Sequence, residues 1–205
     1  IKAIEVGIDT VAELKEKGYN VFATGEMGIG NTTTSSAVCS VLLDQSVEKV
    51  TGKGAGLTNK DLEHKIEVIK QSIALNQVDA NDPIDVLSKV GGLDIAGMVG
   101  CYIGGAALQV PVFIDGFISS VAALIAIRLI PECAPYLFPS HCSNEPAGHL
   151  ILDAIGKEPY ILANMCLGEG TGAVMGFTIA DYAFKAYWEL PSFEQTNFGT
   201  YEELN

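Results

Sequence analysis

The stretch from Ile95 to Ile130, "IAGMVGCYIGGAALQVPVFIDGFISSVAALIAIRLI", restricts the fold more than any other part of the chain. So apolar a segment belongs in a membrane or at the centre of a protein core. Gln109, Pro111, Asp115 and Arg128 interrupt it, and the runs between them fall short of the roughly 18 to 20 residues that a spanning helix needs. A membrane span is therefore set aside. In its middle, "VPVFID" is short, β-prone and apolar on both faces, as a parallel strand covered on both sides must be. The small residues of "LDIAGMVGCYIGGAALQ" before it describe a buried helix that other backbones approach closely. "FISSVAALIAIRLI" after it reads as a buried crossover helix.

The same alternation runs through the whole chain. Ile4, Ile8, Val11 and Leu14 repeat at helical spacing, and Lys17-Gly18 supplies a basic last turn and a stop. "YNVFAT" is a short strand, "GEMGIGN" a glycine loop, and "TTTSSAVCSVLLD" a helix that Thr32 or Thr33 can cap. Thr58 caps a long helix striped by Leu62, Ile66, Ile69 and Ile73, and Asp82-Pro83 opens a short one ending at Gly91-Gly92. "YLFPSH" is a third strand, Ser143 or Asn144 begins a helix around "EPAGHLILDAIG", and "YILAN" is a fourth strand. "CLGEGTGA" leads into a last helix through Trp188, followed by a polar tail. Strands alternating with helices predict one α/β domain with a parallel sheet flanked by helices, over residues 1–190, and a tail over 191–205. Ligands of such sheets bind at the carboxyl ends of the strands. Four loops should gather there: 25–31, 115–116, 140–144 and 168–172.

Charge narrows the partners. With 25 acidic against 12 basic residues the formal charge is −13, a field that repels nucleic acid and anionic membrane. A bound phosphate must then rely on backbone N–H groups and one or two placed cations. The five cysteines lie far apart with no C-x-x-C pair, which suits a reduced cytoplasm. No basic region followed by an apolar run opens the chain, so no signal peptide is visible, and the chain opens inside a helix as a fragment would. His64, His141 and His149 show no metal-ligand spacing, and Ser140-His141-Cys142 reads as loop.

Two glycine-rich loops carry the chemistry. In "GEMGIGNTTT" the backbone around Gly28, Gly30, Asn31 and Thr32 can cradle a phosphate at a helix N-terminus. Asn31 stands where an ATP loop has lysine, which favours a monophosphate over ATP. The alternative is a tight strand-to-helix turn. In "LGEGTGA", Glu169 sits among Gly168, Gly170, Thr171 and Gly172, a carboxylate with no neighbouring side chain and a backbone that a ligand can approach. It is either a general base or a solvated turn residue. Asp115, closing a buried strand, takes ribose hydroxyls or caps a helix. Lys65 lies off its helix's apolar stripe, where it reads as a solvated helix lysine that Asp61 can pair with.

"GEMGIGNTTT", "GGLDIAGMVG", "VPVFIDGFISS", "SHCSNEPAGH" and "LGEGTGA" occur in this order and together resemble the nicotinate-nucleotide:dimethylbenzimidazole phosphoribosyltransferase family over essentially the whole chain. The resemblance implies a Rossmann-like large domain, a homodimer and no cofactor or metal. It implies transfer of the phosphoribosyl group of nicotinate mononucleotide to 5,6-dimethylbenzimidazole or a related base, with inversion at the anomeric carbon. The products are α-ribazole 5′-phosphate and nicotinate, in cobalamin lower-ligand assembly. By resemblance Glu169 falls on the catalytic base and Glu26 on a second acid near the reacting centre. Gly28, Gly30, Asn31, Lys65 and the Ser143 loop fall where phosphate and ribose are held. Members of this family are longer. The missing N-terminal part belongs to the base pocket and to a small helical domain that the 191–205 tail would join. A diverged nucleotide-binding or partner subunit without chemistry is the alternative. A nucleotide-dependent oxidoreductase is disfavoured, because the loop is not G-x-G-x-x-G.

Overall fold

A computed structural model describes residues 1–54 and 56–196. The elements alternate as expected. Helix α1 (Lys2–Glu16) leads to strand β1 (Phe22–Ala23), α2 (Asn31–Leu43), the one-turn α3 (Val47–Val50), α4 (Asn59–Asn76), α5 (Pro83–Val90) and α6 (Leu93–Ala107). Strand β2 (Val112–Ile114), α7 (Phe117–Leu129), a 3-10 turn (Pro131–Tyr136), β3 (Leu137–Pro139) and β4 (His141–Ser143) follow. The described chain closes with α8 (Gly148–Ala154), β5 (Ile161–Met165), α9 (Thr171–Glu189) and a 3-10 turn over Phe193–Gln195. From residue 197 the tail expected over 191–205 lies outside the described residues. No helix among the described residues is long and apolar enough to cross a membrane.

Strands β1, β2 and β3 pair in that order, all parallel, and β4 pairs parallel with β5. The segment read as one third strand is divided at Ser140. Its first half pairs with β2 and its second half with β5. Ser140 bridges the two, donating its N–H to Ile114 O at 3.0 Å and accepting from Ile161 N at 3.0 Å. The four expected strands are therefore present, with the third serving two neighbours in turn.

The apolar stretch that opened the sequence reading lies at the centre. All three residues of β2 are buried, as is α7 from Phe117 to Ala126. Helix α6 takes α1 at backbone distance: a Cβ on Gly100 would stand 2.0 Å from Ile4 O, and one on Gly7 2.0 Å from Gly97 O. Alanine at either position would push the helices apart. Tyr102 of α6 is fully buried and ties the layers together. Its hydroxyl meets Thr24 Oγ1 at 2.7 Å and donates to Ser119 O at 3.1 Å, so the hydroxyl is paired as burial requires.

Two helix starts differ from the sequence reading. Helix α2 begins at Asn31 with Gly30 in the left-handed conformation before it, so neither Thr32 nor Thr33 caps it. Helix α8 begins at Gly148. Ser143 closes β4 instead, and its hydroxyl accepts from Glu145 N at 3.3 Å in a local turn, the alternative these side chains offer to a helix cap. The caps at Thr58, accepting from Asp61 N, and at Asp82, accepting from Ile84 N and Asp85 N, are as expected.

Candidate active site

The carboxyl ends of β1, β2, β4 and β5 open into a cleft of about 290 Å³. Glu26, Thr32, Asp115, His141, Ser143 and Glu169 all contribute to its wall. The four loops expected to converge do so. Strand polarity accounts for this: every strand in both ladders is parallel, so every strand-to-helix turn emerges on the same side.

The two glycine loops touch through their backbones. A Cβ on Gly25 would lie 2.6 Å from Gly170 N and 2.7 Å from Gly170 Cα, so only glycine lets the strand β1 turn and the α9 turn pack at this distance. The contact places Glu26 and Glu169, one residue on from Gly25 and one residue before Gly170, on the same wall. Glu169 is exposed and lies in the left-handed region at φ +57°, between Gly168 at +78° and Gly170 at +79°. A left-handed glutamate is uncommon and is retained where surrounding contacts over-determine it. Thr171 fastens the turn by donating its hydroxyl to Gly168 O at 2.7 Å.

Glu26 is half-buried and points back into its own loop. One carboxylate oxygen accepts from Gly28 N and from the Asn31 amide, whose nitrogen also reaches Asp94 Oδ2 at 2.8 Å. Asn31 therefore bridges two acids at the foot of α2. It occupies the position where an ATP loop carries lysine, but its work here is to fix Glu26. Helix α2 itself starts with no side-chain cap and no acid in its first turn, which leaves its positive end facing the cleft.

Lys65 differs from the solvated helix lysine that one reading allowed. Its side chain is buried, with the ammonium donating to Thr32 Oγ1 at 2.9 Å and to Gly52 O at 3.0 Å. Asp61 does not pair with it and instead joins the Thr58 cap. Burial pulls the Lys65 pKa down, and the nearby Glu145 carboxylate opposes that shift. The cation stands one side chain behind the cleft, with Thr32 between.

Asp115 is buried at 1% exposure, and both of its oxygens are occupied. Oδ2 accepts from Gly170 N at 3.1 Å, and Oδ1 from Gly172 N at 2.8 Å and Ala173 N at 3.2 Å. Of the two readings of this residue, the geometry matches the helix cap, but the helix is α9, more than fifty residues along the chain. His141, read from sequence as part of a loop, is a residue that the sequence did not mark out. It is buried in β4 with Nδ1 3.1 Å from Ser140 Oγ and 3.9 Å from Asp115 Oδ1. Burial holds its pKa below the usual histidine value, and Asp115 works against that. All five cysteines are free thiols.

Comparison with known proteins identifies the family. A family model described as phosphoribosyltransferase matches residues 1–198. The nicotinate-nucleotide–dimethylbenzimidazole phosphoribosyltransferase of Ruminiclostridium cellulolyticum is 53% identical over 204 residues, covering 100% of this chain and 58% of the relative. The enzyme of the same name from Acetivibrio thermocellus is 52% identical over 98% of this chain and 58% of its own length. The crystal structure of CobT from Thermus thermophilus superposes with a TM-score of 0.88 at 30% identity, covering 94% of this chain and 57% of that one. The chain thus spans somewhat more than half the length of the relatives it matches. With one family model covering nearly all of its residues and half of its positions shared with those relatives, the chain belongs to the nicotinate-nucleotide:dimethylbenzimidazole phosphoribosyltransferase family.

Proposed function

We propose that the protein of which this chain forms the large α/β domain transfers the phosphoribosyl group of nicotinate mononucleotide to 5,6-dimethylbenzimidazole or a related base. The observation that carries the proposal is the contact between the two glycine loops, which sets Glu169 and Glu26 on one wall of a single cleft. In the step itself, the Glu169 carboxylate takes the benzimidazole N–H proton as the other ring nitrogen attacks the anomeric carbon. The bond from that carbon to the pyridinium nitrogen breaks, and its electron pair leaves with nicotinate. The leaving group is cationic before reaction, so it needs no acid and one base suffices. Attack from the face opposite the departing pyridine inverts the β-nucleotide to the α-ribazole 5′-phosphate.

The phosphate is assigned to the open N-terminus of α2, with Gly30, Asn31 and Thr32 presenting backbone N–H groups and Lys65 supplying positive charge from behind Thr32. Ser143 and the 168–172 turn line the ribose side. Glu26, held through one carboxylate oxygen by Gly28 and Asn31 and lining the same cleft, is assigned as the second acid near the reacting centre. The homodimer, the cytoplasmic location and the joining of residues 191–205 to a small helical domain belong to the same proposal. Light scattering of the full-length protein tests the dimer.

The direct experiment incubates full-length protein with nicotinate mononucleotide and 5,6-dimethylbenzimidazole. Glu169→Gln should lower turnover by about 10²- to 10⁴-fold with binding retained. Near-normal turnover in that variant would remove Glu169 from the chemistry. Binding without turnover in the unaltered protein would favour a non-catalytic nucleotide-binding subunit.

A further inference from the structure

We infer that Asp115 is the positioning residue for Glu169: it acts on the reaction by clamping the first turn of α9, and does not hold the ribose. The inference rests on the reading of Glu169 as the base. A helix start leaves its first N–H groups without intrahelical partners. At α9 the amides of Gly170, Gly172 and Ala173 all donate to the one buried carboxylate, at 3.1, 2.8 and 3.2 Å. These donors begin one residue after Glu169. Glu169 itself is held at φ +57°, a conformation a glutamate does not choose unaided.

The packing around the clamp has no slack. A Cβ on Gly172 would stand 2.0 Å from His141 Nδ1 and 2.8 Å from Asp115 Oδ1. His141 thus wedges between Asp115 and the helix. Its own Nδ1 is 3.1 Å from the Ser140 hydroxyl, which in turn donates to Ile114 O at 2.7 Å. The chain of contacts runs from β2 through Ser140, His141 and Asp115 to the α9 turn, and so ties the base to the central strand. The same carboxylate neutralises the positive end of α9, so an anionic ligand gains nothing there. The uncapped start of α2 has no such occupant.

The test uses the full-length enzyme with Asp115→Asn, alone and combined with Glu169→Gln. An amide nitrogen cannot accept, so one side of the clamp opens. With the base misplaced by about 1 Å, kcat should fall about 10- to 100-fold, while KM for nicotinate mononucleotide stays within about threefold of normal. Because Asp115 acts through Glu169, the double variant should be no more than about twofold slower than Glu169→Gln alone. A tenfold rise in KM at unchanged kcat would make Asp115 a ribose ligand and overturn the inference. So would an unchanged enzyme, or a loss that multiplies in the double variant. Hydrogen–deuterium exchange on the unaltered protein serves where the variant does not fold. The amides of Gly170, Gly172 and Ala173 should exchange slowly, and exchange at free-loop rates refutes the clamp. If Glu169→Gln alone kept full turnover, the base assignment would fail, and the exchange result would still judge the clamp.

Discussion

Replacing Gly25 by alanine probes the contact on which the site depends. Gly25 is not in the left-handed region, so alanine meets no backbone penalty there and the whole effect must come from space. The new methyl carbon would lie 2.6 Å from Gly170 N, 2.7 Å from Gly170 Cα and 3.1 Å from Glu169 C. Carbon contacts settle near 3.5 to 4.0 Å, so the α9 turn has to retreat by roughly 1 Å, and the nearest atoms are backbone with no rotamer to give. Overpacking of this kind costs about 1 to 3 kcal/mol. For a chain of 150 to 250 residues that corresponds to a fall in Tm of roughly 2 to 12 °C. The same 1 Å moves Glu169, and misplacement on that scale costs about 10²-fold in rate. Thermal melts and steady-state assays of full-length Gly25→Ala should therefore show both effects. A variant within about 1 °C and threefold of normal would show that the two glycine loops do not press on one another.

Other perturbations follow from the same geometry. Lys65→Met should raise KM for nicotinate mononucleotide about 10- to 100-fold while leaving Tm unchanged or higher, because a desolvated ammonium is replaced by an apolar chain of similar length; a lower Tm with normal KM would make Lys65 structural only. Thr32→Val removes one of the two oxygens that the buried ammonium donates to, and chemical denaturation should show a loss of about 1 to 3 kcal/mol. Burial lowers the His141 pKa below its unfolded value, so below about pH 6.5 the unfolded chain binds a proton that the native site resists. Stability should fall as pH drops from about 6.5 toward the native pKa, and His141→Gln should flatten that part of the profile. Asn31→Ala frees Glu26 from one of its two partners and leaves Asp94 without its amide donor; kcat should fall with little change in Tm, and an unchanged kcat would place Glu26 outside the chemistry.

Features set by local sequence were legible in advance. The strand in "VPVFID", the caps at Thr58 and Asp82 and the glycine stop after α5 depend on residues within a turn of one another, and each forms as read. The convergence of four loops was legible for a different reason: parallel strands leave no other place for them. What escaped was pairing across the chain. Nothing near Ser140 shows that one extended segment will serve β2 with its first half and β5 with its second. Nothing near Lys65 shows that Gly52 and Thr32 will enclose its ammonium, because both come from other elements. The α8 start was misplaced because Ser143 and Asn144 look like caps, but the strand pairing of β4 claims Ser143 first. His141 was passed over because a histidine in a polar loop carries no local mark of burial.

Three helices, α2, α7 and α9, begin at this cleft, and the starts of α2 and α9 are treated in opposite ways. Both α2 and α9 begin with a left-handed glycine and neither has a local side-chain cap. At α9 the carboxylate of Asp115 arrives from the central strand and takes three amides, turning a free positive end into a rigid mount. At α2 the nearby acids Glu26 and Asp94 bond to the Asn31 side chain, and Glu26 also to Gly28 N, so neither caps the backbone amides of the first turn. With a formal charge of −13 repelling any anion at long range, the uncapped starts of α2 and α7 and the ammonium of Lys65 are positive features beside the cleft. Under the proposed function these two starts meet different demands: the uncapped start of α2 is assigned to the phosphate, and the start of α9 is capped by Asp115 next to the assigned base, Glu169.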